Sequence, residues 1–376
     1  MNNYTERMEN AVFEQWDLFD DYSEDYSTLI DTLNSEESFR SFGEGLLYFL
    51  QKRTAEATLE NAIKIIEDFC NKTSVPKGDI ASPNTFRHWF SGAPRPKKGE
   101  DSRESMFAFA FALQMTPTET SELFHKVYLD RAFDYRNPKE IIYYFCLNNK
   151  KSWQDAIRLI NSIEDIKEDS GDYTVYTVQI KNDIDLLSDE SALLDYIETH
   201  GHNLYKKNVS AQKIKEKLLK EANELAQEEE KQSGLSDEFY GSDRKSLSYT
   251  YESIIGISVS GSKGTKTLFK NARLPKEIKN RFPEVNTLTK KDPTYEEFRK
   301  LIILLESYSF WIKTQRTEKL IDIEDYISEL NAYLDEGGLP LMYYGNPYDW
   351  LFLYCTLSDG PLDTFREIIS EVLSED

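Results

Sequence analysis

Apolar residues recur at helical spacing along most of this chain. After Phe39 they fall at Leu46, Leu47, Phe49 and Leu50, then at Leu59, Ala62, Ile65, Ile66 and Phe69 up to Cys70, the i, i+3, i+4 stripe of amphipathic helices. Ser82 before Pro83 predicts a capped start with proline in the first turn. Asp101–Glu104 opens onto Met106–Leu113, the longest strongly apolar stretch. Thr116-Pro117-Thr118-Glu119 combines a cap, a first-position proline and a glutamate that reaches back. That helix continues through Leu123, Phe124, Val127 and Tyr128. Asn137-Pro138 starts another through Ile141, Ile142 and Phe145, and Trp153–Ile163 follows. Ser188 caps a helix carrying Leu193, Leu194 and Ile197, and Ser210–Glu230 reads as one long charged helix. Thr294-Tyr295-Glu296-Glu297 is a further capping box, ahead of Phe298, Leu301, Ile302, Leu304 and Leu305. Tyr173–Ile180 alternates in the manner of a strand, while its continuation into Ile184 and Leu187 fits a helix; both stay open, with helix the expectation.

These patterns predict an all-α, multi-helical fold. Its expected divisions are an acidic segment over 1–40, a helical module over 41–165, a helical middle region and linker over 166–245, and a C-terminal helical module over 246–376. The best linker candidate is Ser233–Asp243, rich in Ser, Gly and Asp. With 376 residues, the chain is two to three domains long at roughly 150 residues each.

The two ends share a pattern. Asn137-Pro138 through Cys146 lies over Asn346-Pro347 through Cys355 without a gap, and Trp153, Ala156, Leu159 and Ile160 then lie over Leu362, Phe365, Ile368 and Ile369. Upstream, Ser121-Glu122-Leu123 matches Ser328-Glu329-Leu330, and Arg103-Glu104 resembles Arg299-Lys300. The expectation is two related helical modules, with Asn137 and Asn346 as caps and Cys146 and Cys355 as small buried hydrophobes.

Charge complicates this picture. The net charge is −22, which argues against coating phosphate backbones with a broad basic surface. The acidity is uneven. Residues 1–40 hold 11 acids against two arginines, whereas residues 71–103 carry +4 and residues 263–291 carry +7. Each basic stretch precedes one copy of the shared pattern, so each module is expected to present a local anion-binding face. The acidic N-terminal segment is a candidate intramolecular cover for such a face.

The first basic stretch includes Ser82-Pro83-Asn84-Thr85-Phe86-Arg87-His88-Trp89-Phe90-Ser91-Gly92, followed by Pro94 and Pro96. With Phe107–Leu113 and the Thr116–Glu119 cap, it resembles the lambda-repressor-like helix-turn-helix family over residues of about 60–125. The helix before it departs from that family, since Lys77-Gly78-Asp79-Ile80-Ala81 is short and lacks the usual pattern. The resemblance implies that Asn84, Thr85, Arg87 and His88 face DNA, with Phe86 and Trp89 holding the helix to the core. From the basic stretches, Arg95, Lys97, Lys98, Lys276, Lys279 and Arg281 join the candidate nucleic-acid contacts. The cadence of the C-terminal module is similar to that of uncharacterised bacterial proteins.

Other chemistry is weakly encoded. Gly256–Thr265 nearly spells a phosphate loop, with Lys263 one place late, and Ser260-x-x-Lys263 is too common a pattern to carry weight. His200-Gly201-His202 with Glu198 is a sparse metal motif at an expected helix end. Cys70, Cys146 and Cys355 are widely separated and form no CxxC pair. No catalytic constellation, cofactor site or metal site is expected. The N-terminus lacks the pattern of a secretory leader, and no apolar run reaches the ~20 residues of a membrane span; a cytoplasmic location follows as the expectation. Function is therefore expected to be non-enzymatic: DNA-binding transcription regulation through local basic faces. The alternative is an acidic protein-interaction adaptor or inhibitor, including a DNA mimic, that binds a basic protein partner.

Overall fold

The computed structural model describes residues 26–35, 38–92, 95–96, 99–163, 177–204, 209–233, 247–257, 269, 272–290, 293–317 and 321–374. Among these the secondary structure is entirely helical, with 19 α-helices, one π-helical turn and no strand. The expected all-α, multi-helical class is what the chain adopts. Of the stretch 173–180, residues 177–180 begin a helix and 173–176 lie outside the described residues, as do Lys97, Lys98, most of the linker candidate and residues 258–265 of the near-miss phosphate loop.

The chain divides into two compact units, one of residues 40–207 and one joining Met1–Phe39 to Asn208–Asp376. The middle region is thereby shared between them.

The first unit runs through α2 (Phe42–Gln51), α3 (Ala62–Thr73), α4 (Lys77–Ile80), α5 (Pro83–Phe90), α6 (Glu100–Ala112), α7 (Pro117–Leu123) with the π-turn Phe124–Tyr128, α8 (Pro138–Asn148), α9 (Trp153–Ser162), α10 (Thr177–Asp185) and α11 (Glu190–Leu204). Helix α1 (Ser27–Asn34) belongs to the second unit. Helix α6 is buried on every side from Met106 to Ala112, and a helix apolar all round belongs at the centre of its unit. Helices α3, α4 and α9 pack against it, and α9, α10 and α11 pack against α8. The Thr116 and Glu119 side chains form the expected capping box, and Cys146 is buried.

The second unit contains α1, α12 (Val209–Ser233), α13 (Leu247–Ile255), α14 (Lys276–Lys279), α15 (Val285–Thr289), α16 (Tyr295–Thr317), α17 (Ile323–Glu336), α18 (Pro347–Leu357) and α19 (Pro361–Ser374). Helix α16 is its centre, buried from Phe298 through Ser309 and flanked by α12, α17, α18 and α19. Thr294 caps it, with the Glu297 amide donating to the Thr294 hydroxyl and the Thr294 amide donating to the Glu297 carboxylate. Helix α1 contributes Leu29, Ile30 and Leu33 to the same core.

Each unit ties its central helix to its Asn-Pro helix through an arginine, largely enclosed in the first unit and buried in the second. In the first, Arg103 donates from Nε and Nη2 to Glu140 at 2.8 and 2.7 Å, from Nη1 to Asp130 at 2.8 Å, and to the carbonyls of Arg131 and Ala132. In the second, Arg299 donates from Nη1 and Nη2 to Asp349 at 2.7 Å each, and to the carbonyls of Pro340 and Leu341. The carboxylate stands three residues after the asparagine cap in both. It accepts a backbone amide six residues upstream in both, from Asp134 at 2.6 Å and from Tyr343 at 2.8 Å. The two carbonyls that receive the guanidinium lie nine and eight residues before the carboxylate in both. Burial disfavours the charge on Arg103 and Arg299, but the paired carboxylates outweigh it and leave both guanidiniums more firmly protonated than usual.

Candidate nucleic-acid interface

Helix α5 begins on Ser82, whose extended backbone places its hydroxyl to accept from the Thr85 amide at 3.2 Å, with Pro83 in the first turn. The Thr85 hydroxyl lies 2.8 Å from that of Ser82 and is occupied in the cap. Phe86 and Trp89 turn inward and are buried. Asn84, Arg87 and His88 are exposed, and their i, i+3, i+4 spacing sets them on one outward face. Arg87 and His88 also sit in the last helical turn, where a positive charge complements the helix dipole.

Three features hold that face in place. Trp89 meets Phe42 of α2 edge to face, with ring centroids 5.1 Å apart, and meets Phe86 at 5.5 Å. Gly43 lets α2 approach the end of α5 closely: a Cβ there would stand 2.3 Å from the Trp89 carbonyl oxygen. The preceding turn α4 is anchored by Asp79, which accepts from the Trp153 indole at 2.8 Å, and by a Lys77–Glu67 ion pair. Lys77 also lies over the Phe86 ring.

The other sequence candidates are placed differently. Arg95 is half-buried, and its guanidinium donates to the carbonyls of Val127 at 2.9 Å and Arg40 at 2.6 Å. It braces the chain after α5. In the second unit, Lys276 is exposed on α14 and Lys279 is half-buried. Arg281 is exposed, adopts a left-handed backbone with φ 60°, and reaches the Thr294 hydroxyl at 3.1 Å. Sequence reasoning missed Lys300. It is buried in α16, and its ammonium donates to the carbonyls of Glu277, Ile278 and Asn280, holding the end of α14. The available signal was a second cation beside Arg299 at the head of an otherwise apolar helix.

No group of three or more His, Cys, Asp or Glu side chains among the described residues is placed to hold a metal. His200 is half-buried against the Tyr196 ring, with centroids 4.5 Å apart. No described helix is long and apolar enough to cross a membrane. No protein-family model matches the chain, and no curated protein or solved structure matches it significantly.

Proposed function

We propose that this chain is a non-enzymatic transcription regulator of the cytoplasm. It binds duplex DNA through α5, uses a helix-turn-helix-like module, and is built from two related helical modules. The observation that carries the reading is the outward triplet Asn84, Arg87 and His88 on a capped helix whose opposite face is anchored in the core. Asparagine offers paired hydrogen bonds to an adenine edge, and arginine offers them to a guanine edge or a phosphate. A net charge of −22 suppresses indiscriminate attraction to DNA and confines binding to such local faces. The matching offsets of the two arginine clasps support the relatedness of the modules.

The test is selection from randomised duplexes followed by a gel-shift salt series. Binding is expected to weaken steeply as salt rises, and the double variant Arg87→Ala/His88→Ala should reduce it about tenfold or more. If the wild-type chain retains no duplex at low salt, the reading fails. The surplus of carboxylates then favours the other reading, an acidic adaptor or inhibitor whose basic protein partner would bind stoichiometrically and release with salt.

A further inference from the structure

The turn-and-helix pair that presents Asn84, Arg87 and His88 has a counterpart in the second unit. Helices α4 and α14 are both single turns that start after a proline, Pro76 and Pro275, with lysine in the first position. Each follows a buried aliphatic residue, Val75 or Leu274, and buries one isoleucine, Ile80 or Ile278. Helices α5 and α15 then begin on local hydrogen bonds between the cap residue and the third helical position. In α15, Glu284 accepts the Thr287 amide while the Thr287 hydroxyl accepts the Glu284 amide. Counted from the cap, the second position is an exposed asparagine in both, Asn84 and Asn286. The third is threonine, Thr85 and Thr287, and the fourth is a buried apolar residue, Phe86 and Leu288. The fifth and sixth are exposed, Arg87 and His88 in one and Thr289 and Lys290 in the other.

Charge and anchoring agree with that placement. Arg273, Lys276, Arg281 and Lys290 are all exposed around α14 and α15. Two buried lysines hold the ends of these helices: Lys300 donates to the Glu277 and Ile278 carbonyls of α14 and to that of Asn280 just after it, and Lys215 donates at 2.8 Å to the carbonyl of Lys290, just after α15. Lys290 is exposed and pairs with the half-buried Glu297 at 2.8 Å, so a phosphate reaching its ammonium would compete with that carboxylate.

We infer that α14 and α15 form a second duplex-reading element, with Asn286, Thr289 and Lys290 as its contact face. This inference rests on the reading of α5 as a duplex reader and extends it to a bipartite one, in which each unit covers its own segment of DNA. Two linked weak sites bind more tightly than either alone, which suits a chain whose overall charge opposes DNA.

The experiment uses the full chain and a duplex selected by it from a randomised pool, with hydroxyl-radical footprinting and a salt series. Wild type is expected to protect two segments. Arg87→Ala/His88→Ala should erase one segment, and Asn286→Ala/Thr289→Ala/Lys290→Ala the other, with affinity reduced about tenfold or more in each case. Thr289→Arg, which copies Arg87 into α15, should tighten binding and steepen the salt slope by about one unit; misfolding cannot produce such a gain. The inference is overturned if the triple variant and Thr289→Arg leave footprint, affinity and salt slope unchanged while Arg87→Ala/His88→Ala abolishes binding. In that outcome the reading of α5 stands. If wild type binds no duplex at low salt, both fall together.

Discussion

At the scale of single residues, three positions separate anchoring from surface chemistry. Gly43 stands where any side chain would collide with the Trp89 carbonyl. Gly43→Ala should therefore destabilise the first unit by about 1–3 kcal/mol through overpacking and weaken duplex binding by displacing α5, as read by denaturant unfolding and gel shift. Arg87 and Arg95 are eight residues apart and alike in chemistry, yet one is exposed and the other braces two backbone carbonyls. Arg95→Ala should lower the thermal midpoint, because it strands part-buried acceptors, while Arg87→Ala should leave it nearly unmoved. Glu306 is the third. Both its carboxylate oxygens are buried with no hydrogen-bond partner among the described residues, and burial pushes its carboxyl up to about 8. The surrounding charges are Glu329 on α17, Lys313 on its own helix, and Glu221 and Lys217 on α12. The folded state thus holds this proton more tightly than the unfolded chain, where a glutamate titrates near about 4.3. The stability it confers is complete below that value and is lost as pH rises through about 8. Glu306→Gln should flatten that decline, raising stability at about pH 9 by on the order of a few kcal/mol relative to wild type, measured by urea unfolding across pH.

Among the elements, helix starts were the most legible feature. The caps at Ser82, Thr116, Asn137, Thr294 and Asn346 all carry their side-chain hydrogen bonds where the sequence placed them, because a cap is satisfied within three residues of itself. The clasps were only half legible. Arg103 and Arg299 stood out as matched positions, but their partners Glu140 and Asp349 lie 37 and 50 residues away, beyond the reach of any periodicity. Asp349→Asn should cost about 3–5 kcal/mol by leaving a buried guanidinium uncompensated. The paired replacement Arg299→Met/Asp349→Leu should recover much of that loss, with denaturant midpoints as the readout. Recovery would mark the second clasp as a means of orientation more than a net source of stability.

For the whole molecule, chain order misleads about neighbourhood. Residues 26–39 belong with the C-terminal unit: the Tyr26 hydroxyl donates to Glu367 at 2.8 Å, Asp31 pairs with Arg273 at 3.0 Å, and Phe39 meets Trp350 edge to face. Deleting residues 1–40 would remove Leu29, Ile30 and Leu33 from a core as well as its acids, so it should lower stability sharply. Asp31→Ala removes only an exposed ion pair and should cost less than about 1 kcal/mol, which thermal unfolding of the two variants distinguishes. The comparison separates the electrostatic contribution of the segment from its packing.

The sequence alone determined the all-α class and most of the helix starts, since each depends on spacing and hydrogen bonds within a turn or two of chain; the helix expected to be capped by Ser188 is instead capped one residue later, by Asp189. Only the tertiary structure decided which cations remain at the surface. Arg95, Arg103, Arg299 and Lys300 are drawn onto carbonyls or carboxylates from distant parts of the chain, while Arg87, Lys276 and Arg281 stay exposed. Local pattern assigns a charge to a helix, but the fate of that charge depends on burial and on partners tens of residues away.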